Sequence, residues 1–207
     1  MFRNPNKEAL TYMEKKYGEK FSYIGPTGST NGGDTSSILV SCEAIPDAEI
    51  LVTFTRLNTG NFQFHDNYMA FYYQQNVRDL LKKITQNIYG ESKVSYSVFR
   101  APLPDYLNKD TTFQEYIEAD AVPIYAVFVV GSGASIETKD EDIQKLCIKL
   151  NENHLYIEGQ IYYASNDSYP FIDADTISLS RGPEDWCLLS GSFFIESNGE
   201  FKYMHWR

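Results

Sequence analysis

Residues 187–206 read CLLSGSFFIESNGEFKYMHW, and they indicate the fold class more clearly than any other stretch. Two segments rich in apolar and aromatic residues, Cys187–Ile195 and Phe201–Trp206, flank the pair Asn198-Gly199. Asn-Gly is favoured in two-residue type I′ hairpin turns, because both residues tolerate positive φ. The stretch therefore predicts two adjacent antiparallel strands.

Strand signals dominate the residues on either side of this hairpin and much of the first half. The segment 122–130 is apolar at nearly every position, which is typical of a strand in the middle of a sheet with both faces covered. Residues 25–37, rich in Gly, Ser and Thr, are predicted as a loop. The remaining predicted strands are residues 21–23, 38–42, 50–56, 62–65, 94–99, 155–164 and 176–180.

Apolar residues at helical spacing predict three main helices. The first begins at Asn4 and Pro5, an N-cap residue followed by proline at the first helical position, and ends at Gly18. The second covers residues 74–89 and is followed by Gly90. The third has its apolar stripe at Ile143, Leu146, Cys147 and Leu150.

Two capping-box pairs mark the starts of further helices. Thr138 and Glu141 have the required spacing ahead of the third main helix, and Thr112 and Glu115 have it ahead of a short one. Because helices and strands do not alternate regularly, we predict an α+β fold in which three main helices pack on one face of antiparallel sheet.

The 207-residue length permits one large domain or two small ones. We expect a single domain over residues 1–207. An alternative boundary lies near residues 102–111, where Pro102 and Pro104 mark an irregular connection, and it would give 1–101 and 112–207.

Composition and charge exclude several classes of protein. With 43% hydrophobic residues the chain is not disordered, and it has no run of 18 apolar residues that would predict a transmembrane segment. The 18 basic and 28 acidic residues disfavour nucleic-acid binding. Residues 101–207 carry a net charge of −11, which indicates either a solvated acidic surface or a docking face for a basic partner.

The three cysteines, Cys42, Cys147 and Cys187, are too few and too widely spaced for a disulfide scaffold. We interpret Cys147 and Cys187 as small core residues. Because a helix signal begins within a few residues of Met1, no signal peptide is predicted. The protein is expected to be cytoplasmic if Met1 is native, and extracytoplasmic if Met1 replaced an export signal.

The densest polar cluster in the sequence is His65-Asp66-Asn67-Tyr68. Neighbouring strand residues point to opposite faces, so His65 and Asp66 are not expected to share a site. Asp66 and Asn67 are typical of residues that satisfy backbone groups at a strand end. The alternative is that Asp66, Asn67 and Tyr68 form part of a ligand or partner surface.

A second candidate surface is Glu184-Asp185-Trp186, at the turn before the Cys187 strand. A tryptophan beside carboxylates is a common binding hot spot, although a buried tryptophan at a strand start is equally ordinary.

Metal and catalytic signatures are weak. Asp173 and Asp175 lie in an oxygen-rich loop and are calcium candidates, but the spacing does not match an EF-hand and loops collect aspartates for turns. We predict no other metal and no cofactor. Because G-x-S-x-G and phosphate-loop motifs are missing, we also predict no catalytic residues.

Two segments, Tyr12–Ile24 and Phe62–Tyr68, resemble parts of uncharacterised bacterial envelope proteins and of cystatin-like or PepSY-like domains. The resemblance implies a helix packed across an antiparallel sheet, with two cystatin-like halves as one arrangement. It also implies export and anchoring outside the membrane.

We therefore predict a non-enzymatic binding or accessory module for a protein or cell-envelope ligand. The alternative is a cytoplasmic acidic inhibitor or immunity-type protein that binds a basic partner. A third hypothesis is an enzyme whose residues converge from distant loops, with His65, Asp66 and Glu184 as participants.

Overall fold

The computed structural model describes residues 4–29, 35–98, 100–119, 124–131, 133–174, 185–196 and 200–207. These residues form five α-helices, one 3₁₀ helix and nine strands. In chain order the elements are α1 (Pro5–Tyr17), β1 (Phe21–Ser29), β2 (Thr35–Cys42), β3 (Ile45–Arg56), β4 (Phe62–Asp66), α2 (Tyr68–Tyr72), α3 (Gln74–Tyr89), β5 (Ser92–Val98), α4 (Phe113–Ile117), β6 (Ile124–Val130), α5 (Lys139–Glu152), β7 (Ile157–Ala164), the 3₁₀ helix (Tyr169–Phe171), β8 (Cys187–Ile195) and β9 (Phe201–Trp206).

The chain divides into two compact units. Unit 1 comprises Met1–Tyr73 and Arg100–Ala119, and unit 2 comprises Gln74–Phe99 and Asp120–Arg207. The chain therefore leaves unit 1 at α3 and returns to it for the segment that contains α4. Whether residues 1–207 fold as one domain, or divide near residues 102–111, stays a prediction.

Unit 1 is a four-stranded antiparallel meander in the order β1-β2-β3-β4, with α1 packed against it. Asn4 caps α1 as expected, because its side-chain oxygen accepts the backbone N–H groups of Asn6 and Lys7. Gly18 ends the helix with φ of 69°, a left-handed conformation that glycine adopts without strain. The buried stripe that faces the sheet is Ala9, Met13 and Tyr17.

The predicted loop at residues 25–37 is wrong at both ends, where β1 continues to Ser29 and β2 begins at Thr35. Antiparallel pairing joins Ser29 to Ser36, with two register shifts along the ladder. The glycines and serines adopt strand conformation here because β2 and β1 supply each other's backbone hydrogen bonds, which outweighs weak local β propensity.

Unit 2 is a five-stranded sheet in the order β5-β6-β7-β8-β9. All neighbours are antiparallel except β6 and β7, which run parallel because α5 carries the chain back between them. As predicted, β6 lies inside the sheet and is buried at six of its seven positions. The α+β prediction with antiparallel sheet and three main helices is confirmed, with one parallel pair as an addition.

The two faces of the unit 2 sheet are covered differently. Helix α3 packs on β5 and on α5. A separate apolar cluster contains Val127, Val129 and Ala174, with Ile172 packed against it. Neighbouring strand residues point to opposite faces, so Val127 and Val129 point to one face of the sheet and Phe128 points to the other. The segment around residues 172–174 covers the face of Val127 and Val129.

Strand β7 carries a close approach that only glycine permits. Phe193 of β8 lies opposite Gly159, and a Cβ atom added there would be 2.3 Å from the Phe193 ring. The ring also packs 5.8 Å from that of Phe128, measured between centroids. A small residue in the middle of a strand therefore makes room for a core aromatic ring.

The two predicted capping boxes have different outcomes. In α4 both reciprocal bonds between Thr112 and Glu115 are present. The box at Thr138 does not form, because Thr138 has ψ of 6° rather than an extended conformation, and its hydroxyl bonds to the Asp142 carboxylate at 2.6 Å. An N-cap side chain reaches the N3 amide only from extended backbone.

The hairpin predicted around Asn198-Gly199 is confirmed in its strands. Residues of β8 and β9 pair antiparallel, and beyond the ladder the Glu196 N–H donates to the Glu200 carbonyl at 3.0 Å. Asn198 and Gly199 themselves lie outside the described residues, as does the strand predicted at 176–180. None of the described helices is long and apolar enough to cross a membrane.

Candidate functional site

Asp66, in the first candidate cluster, is a buried carboxylate at the end of β4. It is 1% exposed and accepts four hydrogen bonds. One oxygen accepts the Tyr17 hydroxyl at 2.7 Å and the Tyr68 amide at 2.9 Å. The other accepts the Tyr12 hydroxyl at 3.0 Å and the Lys16 ammonium at 2.9 Å. Because its acceptor sites are occupied by its own unit, Asp66 joins α1 to the sheet.

Asn67 continues the pairing of β3 with its side chain. Its amide oxygen accepts the Leu51 N–H at 2.8 Å, and its own N–H donates to the Leu51 carbonyl at 3.2 Å. Asn67 is fully buried. This arrangement agrees with the prediction that Asp66 and Asn67 satisfy backbone groups where the strand ends.

Tyr68 points its hydroxyl at a second acidic side chain. The hydroxyl donates to the Glu19 carboxylate at 2.9 Å, and Lys109 forms an ion pair with the same carboxylate. Burial, followed by the nearby Glu19 charge, raises the pKa of Tyr68. Since Asp66, Asn67 and Tyr68 are all buried, the geometry favours a structural role, and their part in a ligand surface stays a prediction.

His65 lies on the opposite side of the strand from Asp66, as the alternation predicts. Its Nδ1 atom lies 2.8 Å from the carboxylate of Asp105, and both side chains are partly exposed. The enzyme hypothesis needs His65, Asp66 and Glu184 together. Glu184 lies outside the described residues, so this convergence stays untested.

The second candidate cluster belongs to unit 2. Trp186 is partly buried and packs on the ring of Tyr162 at 5.5 Å between centroids. Asp185 is exposed. The structure therefore gives Trp186 a packing role on one side, while a binding role for Asp185 and Trp186 stays a prediction.

Of the two calcium candidates, Asp173 is among the described residues and Asp175 lies outside them. Within the described ranges, no group of three or more His, Cys, Asp or Glu side chains could hold a metal ion. Asp173 instead lines a cavity that also contains cationic side chains.

That cavity is a feature of unit 2 that the sequence did not reveal. It has a volume of about 280 Å³ and lies between α3, the start of β5 and the segment 172–174. Strand β5 is at the edge of its sheet and pairs only with β6 among the described strands. Ser92 and the adjacent Lys93 both line the cavity, so it lies beside this edge strand.

Lys93 holds the third wall of the cavity in place. Its ammonium donates to the backbone carbonyls of Tyr169 at 2.7 Å, Pro170 at 3.2 Å and Ile172 at 2.6 Å. It also lies 4.8 Å from the centre of the Tyr169 ring. These contacts tie residues 169–172 to the edge strand, and they give the cavity a defined shape.

The cavity is positively charged in a protein of net charge −10. Arg78, Lys82 and Lys93 line it together with Asp79 and Asp173, so the lining has a net formal charge of +1. The Ser92 hydroxyl is buried and has no hydrogen-bond partner among the described residues. Such a lining can receive a polar ligand with negative charge.

One sequence signal pointed toward this site. Arg78 and Lys82 are four residues apart on the predicted helix, so they share a face beside the buried Leu81. No local pattern shows that this face meets β5 and Asp173. Asp173 lies more than ninety residues after Lys82 in the chain. The cavity is therefore a product of tertiary packing.

No family model and no curated protein matches the chain. Among solved structures, the chain is similar to a DUF5037 family protein from Ruminococcus gnavus, with 11% sequence identity and a TM-score of 0.48. The match covers 97% of this chain and 95% of that protein. A likeness at this TM-score supports no argument about function, and the resemblance to cystatin-like or PepSY-like domains gains no support from it.

Proposed function

We propose that the chain is a non-enzymatic binding module, and that part of a protein or cell-envelope ligand docks in the cavity beside β5, the edge strand of the described sheet. The observation that carries the proposal is the cavity itself. It brings cationic side chains of α3 together with Ser92 and Lys93 of β5, which is an edge strand among the described strands. Concave sites with a few convergent polar groups are where proteins bind ligands.

The size of the cavity limits what enters it. About 280 Å³ lies just below the roughly 300–1,000 Å³ of typical ligand sites. A small molecule fits, and so does one residue or sugar of a longer chain that runs along the edge. Edge strands commonly bind extended segments through their outward backbone groups.

The lining also supports binding rather than catalysis. A serine nucleophile needs an adjacent base within hydrogen-bond distance. Ser92 has no such base among the described residues. Lys93 is engaged by three carbonyls of the neighbouring segment, so its ammonium supports the wall of the cavity.

Site-directed photo-crosslinking tests the proposal. A benzophenone amino acid replaces Gln75, which lines the cavity, or the exposed Gln86 of the same helix as a matched control. In cells of the native host we expect position 75 to give a specific adduct that position 86 does not give. Equal adducts from both positions, or none from position 75, would contradict the proposal.

The acidic-inhibitor alternative stays a prediction with less support from the described residues. On α5 the Asp142 carboxylate pairs with Lys145 at 2.8 Å, and Glu152 pairs with Lys149 at 2.7 Å. Lysines of the same helix thus offset part of its acidic charge. A complex with a basic partner should weaken strongly with salt, and an affinity that does not change between low and high salt would exclude it.

A further inference from the structure

We infer that residues 165–174 form a lid, which opens from the cavity as a unit while the sheet of unit 2 stays folded, and that Lys93 of β5 is the latch that holds the lid closed. The lid includes the 3₁₀ helix Tyr169–Phe171, and its residues 172–174 are the third wall of the cavity. One consequence, that the lid controls the occupancy of the cavity, rests on the proposed function.

The lid crosses the ends of three neighbouring strands. It leaves β7 at Ser165, whose N–H donates to the Trp186 carbonyl at 3.0 Å. The ring of Tyr169 then lies over Gly131, directly after β6, where an added Cβ atom would be 3.1 Å from the ring. Beyond this point the lid reaches Lys93 of β5. It therefore runs from the middle strand of the described sheet to an edge strand.

The lid has the features of a segment that opens at low cost. Of its ten residues only Ala174 is buried, and five are exposed, among which Phe171 is 88% exposed. Four amides donate to carbonyls within the lid itself, and they belong to Ser168, Tyr169, Phe171 and Ile172. These four bonds move with the lid. Segments with few buried side chains and local hydrogen bonds open without global unfolding, whereas β6 is buried at six of its seven positions.

Lys93 attaches the lid to the edge strand through one group. Its ammonium donates to the Tyr169 carbonyl at 2.7 Å and to the Ile172 carbonyl at 2.6 Å, and it lies 4.8 Å from the centre of the Tyr169 ring. Hydrogen bonds from a charged donor are stronger than neutral ones, and a cation near an aromatic face adds to them. Because these contacts converge on a single ammonium, its loss releases the lid from β5.

The closed lid covers apolar surface. Ala174 belongs to a buried cluster with Val127 and Val129, and Ile172 packs against this cluster. Opening exposes these side chains to water, so the lid is closed for most of the time without a ligand. A ligand that contacts the third wall binds the closed state more tightly and shifts the lid further toward it. The closed lid is therefore the state that retains a ligand.

Amide hydrogen exchange of the ¹⁵N-labelled full chain, measured by NMR and corrected for intrinsic rates, tests the lid. In the native chain we expect the amides of Tyr169 and Ile172 to exchange about a hundredfold faster than the amides of β6. Lys93→Met should speed the lid amides about tenfold further and leave the β6 amides unchanged. Equal exchange of the lid and β6 in the native chain would overturn the inference, because the two would then open only together.

Two control variants separate a latch from general destabilisation. Lys82→Met removes an exposed lysine of α3 that lines the same cavity, and it should leave the lid amides unchanged. Phe171→Ala removes the exposed ring of the lid and should also leave them unchanged. Lys93 is not a latch if Lys93→Met speeds the β6 amides as much as the lid amides, or if either control has the effect of Lys93→Met.

The Tyr169 ring provides a second pair of variants. Tyr169→Leu removes the ring that lies on Gly131 and near the Lys93 ammonium, so it should speed exchange of the lid severalfold. Tyr169→Phe keeps the ring and should exchange at the native rate. If Tyr169→Leu also exchanges at the native rate, the ring does not hold the lid and this part of the inference fails.

Photo-crosslinking from position 75 tests what the lid controls. Lys93→Met combined with the benzophenone at position 75 should give about fivefold less adduct than the benzophenone alone, because the open lid no longer completes the cavity. An unchanged yield would show that the lid does not control occupancy. If position 75 gives no adduct in the otherwise native chain, the proposed function fails, and hydrogen exchange alone decides whether the lid opens.

Discussion

At the residue scale, the most constrained side chain is Asp66. Its carboxylate is surrounded by three tyrosines of unit 1 and by Lys16, and it is almost fully buried. The sequence located the strand end at which it lies. It did not show that α1 supplies most of its partners, because those residues are about fifty positions away in the sequence.

Replacing Asp66 by asparagine should destabilise unit 1 strongly. The change leaves the Lys16 ammonium, which is 12% exposed, without its counter-charge, and breaking a buried pair in this way costs about 3 kcal/mol. Urea denaturation measures the loss. Asp105→Asn is the control. The native Asp105 carboxylate is 50% exposed, so we expect its loss to lower the free energy of unfolding by less than about 1 kcal/mol.

A similar loss in the two variants would contradict the central role of Asp66. A loss in Asp66→Asn that disappears in Asp66→Asn/Lys16→Met would support it, since the double variant no longer buries an unpaired charge.

The tyrosines around these carboxylates predict the response to alkaline pH. Burial first, and then the negative charge of Asp66, raise the pKa of Tyr12 and Tyr17 far above their ordinary value. In the unfolded chain these phenols ionise near pH 10. Above about pH 10 the unfolded chain releases phenol protons that the folded chain keeps. The free energy of unfolding is therefore unaffected by these phenols below that pH, and it falls as the pH rises above about 10.

Absorbance of tyrosinate and far-UV circular dichroism, followed together, test this expectation. A fraction of the 16 tyrosines should ionise only as the dichroism signal collapses. The late fraction should fall by one phenol in Tyr12→Phe. Full ionisation of all tyrosines with an intact dichroism spectrum would contradict the burial described here.

At the element scale, helix ends show where a local pattern is sufficient. The Asn4 cap and the Gly18 stop of α1 match their sequence signals, because each depends on backbone within a few residues. The Thr138 signal failed although its spacing was correct. Its backbone conformation is set by the preceding turn, and sequence spacing does not report that conformation.

The two threonines make a matched pair for experiment. Thr112→Ala removes the reciprocal cap of α4 and should destabilise the chain by about 1 kcal/mol. Thr138→Ala removes exposed contacts to the Asp142 carboxylate and the Ser135 carbonyl, and it should cost less than about 0.5 kcal/mol. Thermal denaturation of both variants measures the difference, and the reverse order would show that the caps are assigned wrongly.

Strands were predicted less completely than helices. The loop signal at residues 25–37 was misleading because glycine and serine lack strong strand preference, whereas pairing between β1 and β2 depends on a partner in the next segment. The parallel pairing of β6 and β7 also has no local signature, since it depends on the direction in which α5 returns the chain.

At the scale of the whole molecule, the chain order of the two units bears on truncation. A break near residues 102–111 would leave Arg100–Ala119 divided between the fragments, although this segment belongs to unit 1. Leu103 and Leu107 are buried there, and the Leu103 N–H donates to the Asp66 carbonyl at 2.7 Å.

We therefore expect fragments 1–101 and 112–207 not to fold on their own. The first lacks the segment that bonds to Asp66, and the second lacks α3 and β5 of unit 2. Dispersion of amide proton shifts in each fragment is the measurement, with the full chain as the reference. Well-dispersed spectra from both fragments would establish the boundary near residues 102–111.

The sequence alone determined the α+β class, the three main helices, the buried position of β6 and the β8–β9 pairing. Each depends on hydrophobic periodicity, on caps or on a turn, which are properties of a few consecutive residues. Only tertiary structure decided that Asp66 is a buried junction, that β6 and β7 are parallel, and that α3, β5 and residues 172–174 enclose a cationic cavity. These features join residues far apart in the chain, and the free energy that brings them together comes from packing, which no local pattern encodes.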